Sequence, residues 1–257
     1  MIDTHSHLYV EEFAEDFHRV VQNAKEAGIS QIYMPNIDDT TLDSMLEACA
    51  HYPGYCFPML GFHPTSVDAE SWHKVCEMKK KLVTGHPYCA IGEVGLDLYW
   101  DNTYLAEQKK VLEEQLQWAL EWNLPVVIHC REAFPELFEV MRPYKESGLT
   151  GIFHSFTGTR ENVACLLEYP GFMIGVNGVV TFKKSTLPQV LAEVPLSRLV
   201  LETDSPYLSP APFRGKRNES SYLIKVVEKL ATVYGVEMDR IAHITSQNAL
   251  KVFKTSE

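Results

Sequence analysis

Short apolar runs alternate with longer amphipathic segments along nearly the whole chain, and nothing else in the sequence limits the fold as sharply. Eight runs read as strands: Met1–His7, Gln31–Ile37, Cys56–Phe62, Tyr88–Val94, Val126–Cys130, Gly151–Phe156, Phe172–Asn177 and Arg198–Thr203. They are rich in Val, Ile, Phe and Tyr and mostly lack period-two alternation, as strands covered on both faces should. Helical patterns lie between them over Glu11–Ala27, Thr40–His51, Ala69–Thr84, Leu105–Trp122, Ala133–Ser147, Arg160–Glu168 and Thr186–Glu193. Gly28 and Gly148 read as helix stops, and Asn102-Thr103 as an N-cap for the fourth helix. A proline-rich loop, Ser205–Arg217, follows the eighth run, and two helices, Ser220–Tyr234 and Met238–Phe253, close the chain.

Strand followed by helix, repeated eight times, implies an α/β fold with a parallel sheet inside a layer of helices. At 257 residues the fitting architecture is a single (β/α)8 TIM barrel, which takes about 250. An open doubly wound sheet is the alternative. It would usually carry a glycine-rich phosphate turn after the first strand, where this chain has His5-Ser6-His7-Leu8. No linker, short-period repeat or low-complexity segment interrupts the pattern, so residues 1–257 are expected to form one domain.

Composition acts by exclusion. Lys and Arg number 23 against 34 Asp and Glu, a net charge of −11, which argues against a protein that coats polyanions. An enzyme that draws in a polyanion locally is not excluded. No stretch approaches the roughly 20 apolar residues of a membrane span, so no membrane partner is expected. The start, Met1-Ile2-Asp3-Thr4-His5, has no basic or apolar signal region, and a cytoplasmic monomer is expected. The six cysteines form no CxxC pair and read as reduced thiols.

The chemistry lies in the histidines. His5, His7, His63, His129 and His154 fall at the carboxyl ends of predicted strands, Glu93 and Asp97 follow the fourth, and Asp204 ends the eighth. In a β/α barrel those ends converge on one mouth. A single strand-end histidine is ordinarily a structural residue. His5-x-His7 differs, because residues i and i+2 of a strand share a face, and two imidazoles facing a barrel interior need a cation between them. The nitrogen-plus-carboxylate set suits Zn²⁺, Mn²⁺, Fe²⁺ or Co²⁺ better than a cysteine-built structural zinc site. Six candidate ligands exceed one tetrahedral ion and suit two ions sharing a carboxylate, with open positions for water.

Rival chemistries lack their residues. There is no GxSxG elbow and no Walker A loop. His129 and Cys130 are adjacent on a strand and point to opposite faces, which leaves Cys130 to pack outside the barrel. Glu202 and Asp204 could suggest glycoside hydrolysis by paired carboxylates, but that chemistry needs no histidine cluster.

The motifs Asp3-Thr4-His5-Ser6-His7, Gly61-Phe62-His63-Pro64, Gly92-Glu93-Val94-Gly95-Leu96-Asp97, His129-Cys130-Arg131, His154-Ser155-Phe156-Thr157-Gly158 and Glu202-Thr203-Asp204-Ser205-Pro206-Tyr207-Leu208 span the chain. Together they resemble the TatD family of metal-dependent hydrolases, within the wider amidohydrolase-like barrels. The tail Arg214-Gly215-Lys216-Arg217-Asn218-Glu219 is also similar to the family's, with Ser220 where proline is usual. The resemblance implies two divalent ions per subunit (Zn, Mg or Mn) and, in many members, deoxyribonuclease activity. By the family pattern His5, His7, Glu93 and Asp204 would hold one ion. Glu93, His129 and His154 would hold the other, with Glu93 bridging, and His63 would lie beside the scissile phosphate.

Asp204 is assigned as general base, with a ligand-only role as the alternative. His63 would donate to a phosphate oxygen or protonate the leaving group, or else orient its neighbours. Asp97 and Glu202 would orient ligands. Arg131 would reach substrate or pair with Asp97 or Glu202. Arg214, Lys216 and Arg217 form a basic cluster expected to hold phosphates, unless the loop is merely solvated. The glycines around Glu93 would let backbone approach the ions, and one of Tyr99, Trp100 and Tyr104 could stack on a base or pack over the mouth. The expected reaction is exonucleolytic cleavage of single-stranded DNA, bound transiently. A small-molecule esterase or amidohydrolase using the same ions is the alternative.

Overall fold

The computed structural model describes residues 1–254. The strands are β1 (Ile2–Asp3), β2 (Gln31–Pro35), β3 (Cys56–Leu60), β4 (Ala90–Asp97), β5 (Val126–Arg131), β6 (Gly151–Phe153), β7 (Phe172–Val176) and β8 (Leu199–Leu201), paired in parallel in chain order. The ring closes through the segments beyond β1 and β8. Thr4 N–H donates to the Leu201 carbonyl, Asp204 N–H to that of His5 and His7 N–H to that of Ser205, at 2.8–3.0 Å. The expected (β/α)8 barrel is therefore present.

The helices are α1 (Phe17–Glu26), α2 (Leu42–Ala50), α3 (Ser71–Lys79), α4 (Leu105–Glu121), α5 (Phe134–Met141), α6 (Arg160–Leu167), α7 (Leu187–Leu191), α8 (Leu223–Tyr234) and α9 (Met238–Phe253). No helix among the described residues is long and apolar enough to cross a membrane.

Strand residues divide their burial between two cores. Ile128 and Cys130 of β5, like Val94 and Leu96 of β4, join the large cluster between sheet and helices. The barrel interior takes one residue from each strand: Ile2, Tyr33, Met59, Ala90, Val127, Ile152, Met173 and Val200. The end of α9 completes this cluster, and Phe253 stacks on Tyr33 with ring centroids 3.7 Å apart. The lower barrel is thus filled with side chains, which leaves the carboxyl ends of the strands as the place for polar groups.

Several predicted boundaries move. The strands at the first, sixth and eighth positions stop earlier than expected, because the backbone beyond them turns toward the mouth to present functional side chains. Ser155 and Asp204 take left-handed φ values of 49° and 58° there. β4 extends further than predicted, so Asp97 as well as Glu93 lies within it. Its pairing with β5 skips a residue between Ile91 and Val94, a bulge that turns Glu93 inward. The first predicted helix splits into a 3-10 turn, Glu11–Phe13, and α1. The turn between them offers Asp16 to Arg217, which reaches across from the loop after β8. Asn102-Thr103 does not cap α4: Tyr104 stands at the N-cap, and Asp101 takes the Thr103 N–H at 2.8 Å. Pro143 ends α5 in a 3-10 turn at Arg142–Tyr144, so Gly148 follows that turn and not the helix itself.

The glycines beside Glu93 serve the close packing of the sheet. Gly95 has φ +146°, and a Cβ on it would collide with the His129 carbonyl of β5. A side chain there would force the two strands apart at the level of the site.

The interior cluster yields a stability prediction. Phe253→Ala should cost about 3–4 kcal/mol, as removal of a buried phenyl ring does. Urea unfolding followed by circular dichroism checks it; a loss below about 1 kcal/mol would show that α9 does not support the barrel floor.

Candidate metal centre

The six residues singled out as ligands meet at the mouth. Glu93 is 3% exposed and divides its two oxygens. Oε2 lies 3.1 Å from His5 Nε2 and 3.6 Å from His7 Nε2. Oε1 lies 2.9 Å from His129 Nδ1, 3.4 Å from His154 Nε2 and 3.3 Å from His63 Nε2. Asp204 Oδ1 stands 3.6 Å from His7 Nε2, 3.8 Å from His5 Nε2 and 3.9 Å from His154 Nε2, between the two groups.

Partners behind the rings fix which nitrogen faces the centre. Tyr9 Oη donates to the Pro35 carbonyl at 2.6 Å, so at 3.0 Å it accepts from His7 Nδ1–H. The lone pair of His7 is thereby aimed at Glu93 and His5 from Nε2. His129 Nε2 is held by Asp97 Oδ2 at 2.9 Å, leaving Nδ1 toward Glu93. His154 Nδ1 is 3.0 Å from Glu202 Oε2, an ion-pair contact without hydrogen-bond alignment, while Glu202 Oε1 accepts the Ser155 N–H. Asp97 and Glu202 therefore stand behind His129 and His154. His63 differs: its Nδ1 accepts the Thr65 N–H at 3.1 Å, so neutral His63 carries its proton on Nε2. It faces the centre as a donor.

Charge follows from this packing. Burial opposes ionisation of Glu93, but the facing His63, His5 and His154, with the His129 hydrogen bond, hold it well below the carboxylate range. Asp204 is lowered too: burial is outweighed by His7, His154 and His5. Burial works against charge on His129 and His154, yet bonds to Asp97 and Glu93 lift His129 to about 8, and Glu202 and Glu93 lift His154 to about 10. His5 goes the other way, to about 4, through burial and the neighbouring His154. Burial also lowers His63.

Such a donor set fits divalent cations. His5 Nε2 and His7 Nε2 are 3.1 Å apart, a contact needing a shared proton or cation. The donor atoms of His5, His7 and Glu93 lie within 4.8 Å of one another, and Glu93 Oε1 lies 2.9 Å from His129 Nδ1 and 3.4 Å from His154 Nε2. Every donor is an imidazole nitrogen or a carboxylate oxygen. Cys130 packs in the cluster between sheet and helices and also borders the cavity over the centre; burial raises its thiol to about 12, which keeps it protonated.

The residues expected to hold substrate are scattered. A cavity of about 680 Å³ over the centre is lined by Arg131 and His63 but not by Arg214, Lys216 or Arg217. Among the described residues Arg131 makes no ion pair with Asp97 or Glu202; its guanidinium lies 3.6 Å from the centroid of the Tyr99 ring. Arg217 is committed elsewhere, both its terminal nitrogens 2.8 Å from the Asp16 carboxylate and its guanidinium over Phe13. That clasp pulls Asp16 down to about 2. Arg214 lies over the Phe182 ring and donates to the Ser209 carbonyl, and Lys216 is exposed. The basic cluster of the sequence is thus three separate side chains. Its spacing resembles a phosphate loop, but the loop's path turns Arg217 toward α1.

Sequence reasoning missed the residues that position others. Tyr9 lies two past His7, and Thr65 two past His63, the same i+2 relation that linked His5 to His7. Asp3 binds Thr203 N–H at 2.9 Å and Thr203 Oγ1 at 2.7 Å, tying the segments that carry His5 and Asp204. Asn218 Nδ2 bridges the Thr203 and Tyr207 carbonyls. The residue pairs across the seam are some 200 apart in sequence, beyond any local pattern.

Comparison with known proteins agrees with this geometry. Residues 2–254 match the family model described as TatD related DNase. The chain is 35% identical to an uncharacterized metal-dependent hydrolase, YabD, of Bacillus subtilis, over 99% of both chains. It is 34% identical to the 3'-5' ssDNA/RNA exonuclease TatD of Yersinia pseudotuberculosis, again over 99% of both. The solved structure of YJJV, a TatD homolog from Escherichia coli, superposes with a TM-score of 0.89 at 28% identity, covering 100% of this chain and 98% of that one. An organophosphorus hydrolase variant, 14% identical with a TM-score of 0.68 over 98% of this chain and 92% of its own, shares the fold. Glu93 and the imidazoles around it thus stand in a chain that belongs, along nearly its whole length, to the TatD family of metal-dependent hydrolases.

Proposed function

We propose that this enzyme cleaves phosphodiester bonds at an end of single-stranded DNA, using two divalent cations that share Glu93. The observation that carries the reading is the division of the Glu93 carboxylate, one oxygen toward His5 and His7 and the other toward His129 and His154. The 3'-5' ssDNA/RNA exonuclease named among the relatives supports the substrate and suggests RNA as well. His5, His7, Glu93 and Asp204 would hold one cation, and Glu93, His129 and His154 the other. Bound there, the cations would supply an activated water and neutralise the phosphate in the transition state.

The chain's own groups do the rest. Asp204 is kept ionised by its histidine neighbours and is placed to take a proton from the attacking water. His63 Nε2–H, fixed by Thr65, donates to a phosphate oxygen or the departing oxygen. Arg131 lines the same cavity and offers its charge to the nucleotide backbone. Arg214 and Lys216 have no part in this reading, and Arg217 acts as a structural clasp.

Glu93→Gln should lower the rate on labelled single-stranded DNA at least a thousandfold, while thermal unfolding of the metal-free protein changes little. The rate is measured with Mg²⁺, Mn²⁺ and Zn²⁺ in turn; a rate within tenfold of the parent would remove Glu93 from its bridging role. If no metal supports DNA cleavage while lactones or amides turn over, the small-molecule hydrolase is the correct reading.

Metal loading should release protons. His129 at about 8 and His154 at about 10 are protonated at pH 7, and both must lose that proton to bind a cation. Calorimetric titration in buffers of different ionisation enthalpy should show about two protons released at pH 7. Affinity should rise with pH, with a slope that falls by about one proton as pH passes 8 and His129 becomes neutral beforehand. A release near zero would show that these two imidazoles do not enter the metal shell.

A further inference from the structure

The mouth carries exposed aromatics that the metal centre does not use. Trp100 is 70% exposed, Tyr99 48% and Tyr207 49%, an unusual use of large apolar rings unless something covers them. Trp100 and Tyr207 both line the cavity above Glu93. They follow β4 and β8, which are four strands apart in a ring of eight and so stand on opposite sides of the barrel. The two rings therefore flank the centre from opposing rims.

Their mounting is rigid and tied to the ligands. Asp97 Oδ1 accepts the N–H groups of Tyr99 and Trp100 at 3.0 and 3.2 Å, while its Oδ2 holds His129. Tyr99 meets Trp100 edge-on at 5.0 Å, and the Arg131 guanidinium lies over Tyr99 and 5.5 Å from the Trp100 centroid. Across the mouth, Tyr207 N–H donates to the Asp204 carbonyl at 2.8 Å, and its ring is 6.3 Å from that of His7. Each exposed ring is thus one residue's reach from a metal-facing side chain.

We infer that Trp100 is the stacking platform for the base of the terminal nucleotide, with Tyr207 closing the slot from the other rim and Arg131 at its side meeting the backbone phosphate. This deepens the proposed nuclease reading and rests on it for the identity of the ligand. A π-face recognises every base and needs no sequence. The terminal base of a duplex has one face stacked on its neighbour, so a slot that takes the base between two rims admits only an unpaired end. The slot would then be the source of single-strand preference.

The test uses the Mn²⁺-loaded enzyme and single-stranded phosphorothioate oligonucleotides that resist cleavage. One has ordinary termini, and two others carry an abasic residue at the 3' or the 5' end. Fluorescence anisotropy should show about tenfold weaker binding for one of the abasic ends, the loss expected for a single base–aromatic stack. Trp100→Ala should bind all three alike, and Trp100→Phe should restore most of the discrimination. Equal binding of all three by the parent enzyme, or discrimination that survives in Trp100→Ala, overturns the inference. Thermal unfolding of both variants confirms the fold. Cleavage of unmodified oligonucleotides is scored separately. Cleavage by the parent together with discrimination that survives in Trp100→Ala removes the platform and leaves the nuclease. Discrimination that depends on Trp100 without any cleavage removes the nuclease and leaves the platform.

Discussion

A carboxylate buried among five imidazoles would ordinarily be expensive, since burial favours neutral forms of both. Here opposite charges suppress that tendency at Glu93, His129 and His154, while His5 and His63 yield to burial. Glu93 remains ionised because His5, His7, His63, His129 and His154 all stand within 4 Å of its oxygens. His129 and His154 remain basic because Asp97 and Glu202 stand behind them. Remove the charge of Glu93 and the rings lose the acceptor they share, although Asp97, Glu202, Tyr9 and Thr65 still hold four of them from behind. The bulge of β4, the closure of the seam and the small residue at Gly175 all serve this one group of charges. A side chain at Gly175 would occupy the space of Glu202 itself.

The alternation of apolar and amphipathic segments made the barrel legible, because period and length alone separate strands from helices. The ligands were legible for a related reason: strand ends in such a barrel converge, so residue type plus position suffices. The basic loop was not. Arg214, Lys216 and Arg217 are near one another in sequence, but side-chain direction there depends on the path of an irregular loop. Arg217 found Asp16, some 200 residues away, and the split of the first helix is the trace of that contact in the backbone. Tyr9, Thr65 and Asp3 hold neighbours as Asp97 and Glu202 do, but a tyrosine, a threonine and an acid at the seam carry less signal than an acid at a strand end beside histidines.

The net charge of −11 bears on DNA differently once the site is seen. Several of the acids lie inside the centre, paired with imidazoles, and present no negative face to a substrate. On the proposed nuclease reading, recognition would rest on aromatic surface and Arg131 at the rim. Such a mouth would grip a strand end briefly and release it.

The floor of the barrel is sealed by one apolar residue from each strand and by Phe253. The chain's cohesion therefore resides at one end and its reactivity at the other. A substitution among the upper residues can alter what is bound or cut without loosening the foundation. Sequence drift in that upper ring is buffered by the floor, which gives this architecture latitude to acquire new substrates while remaining folded.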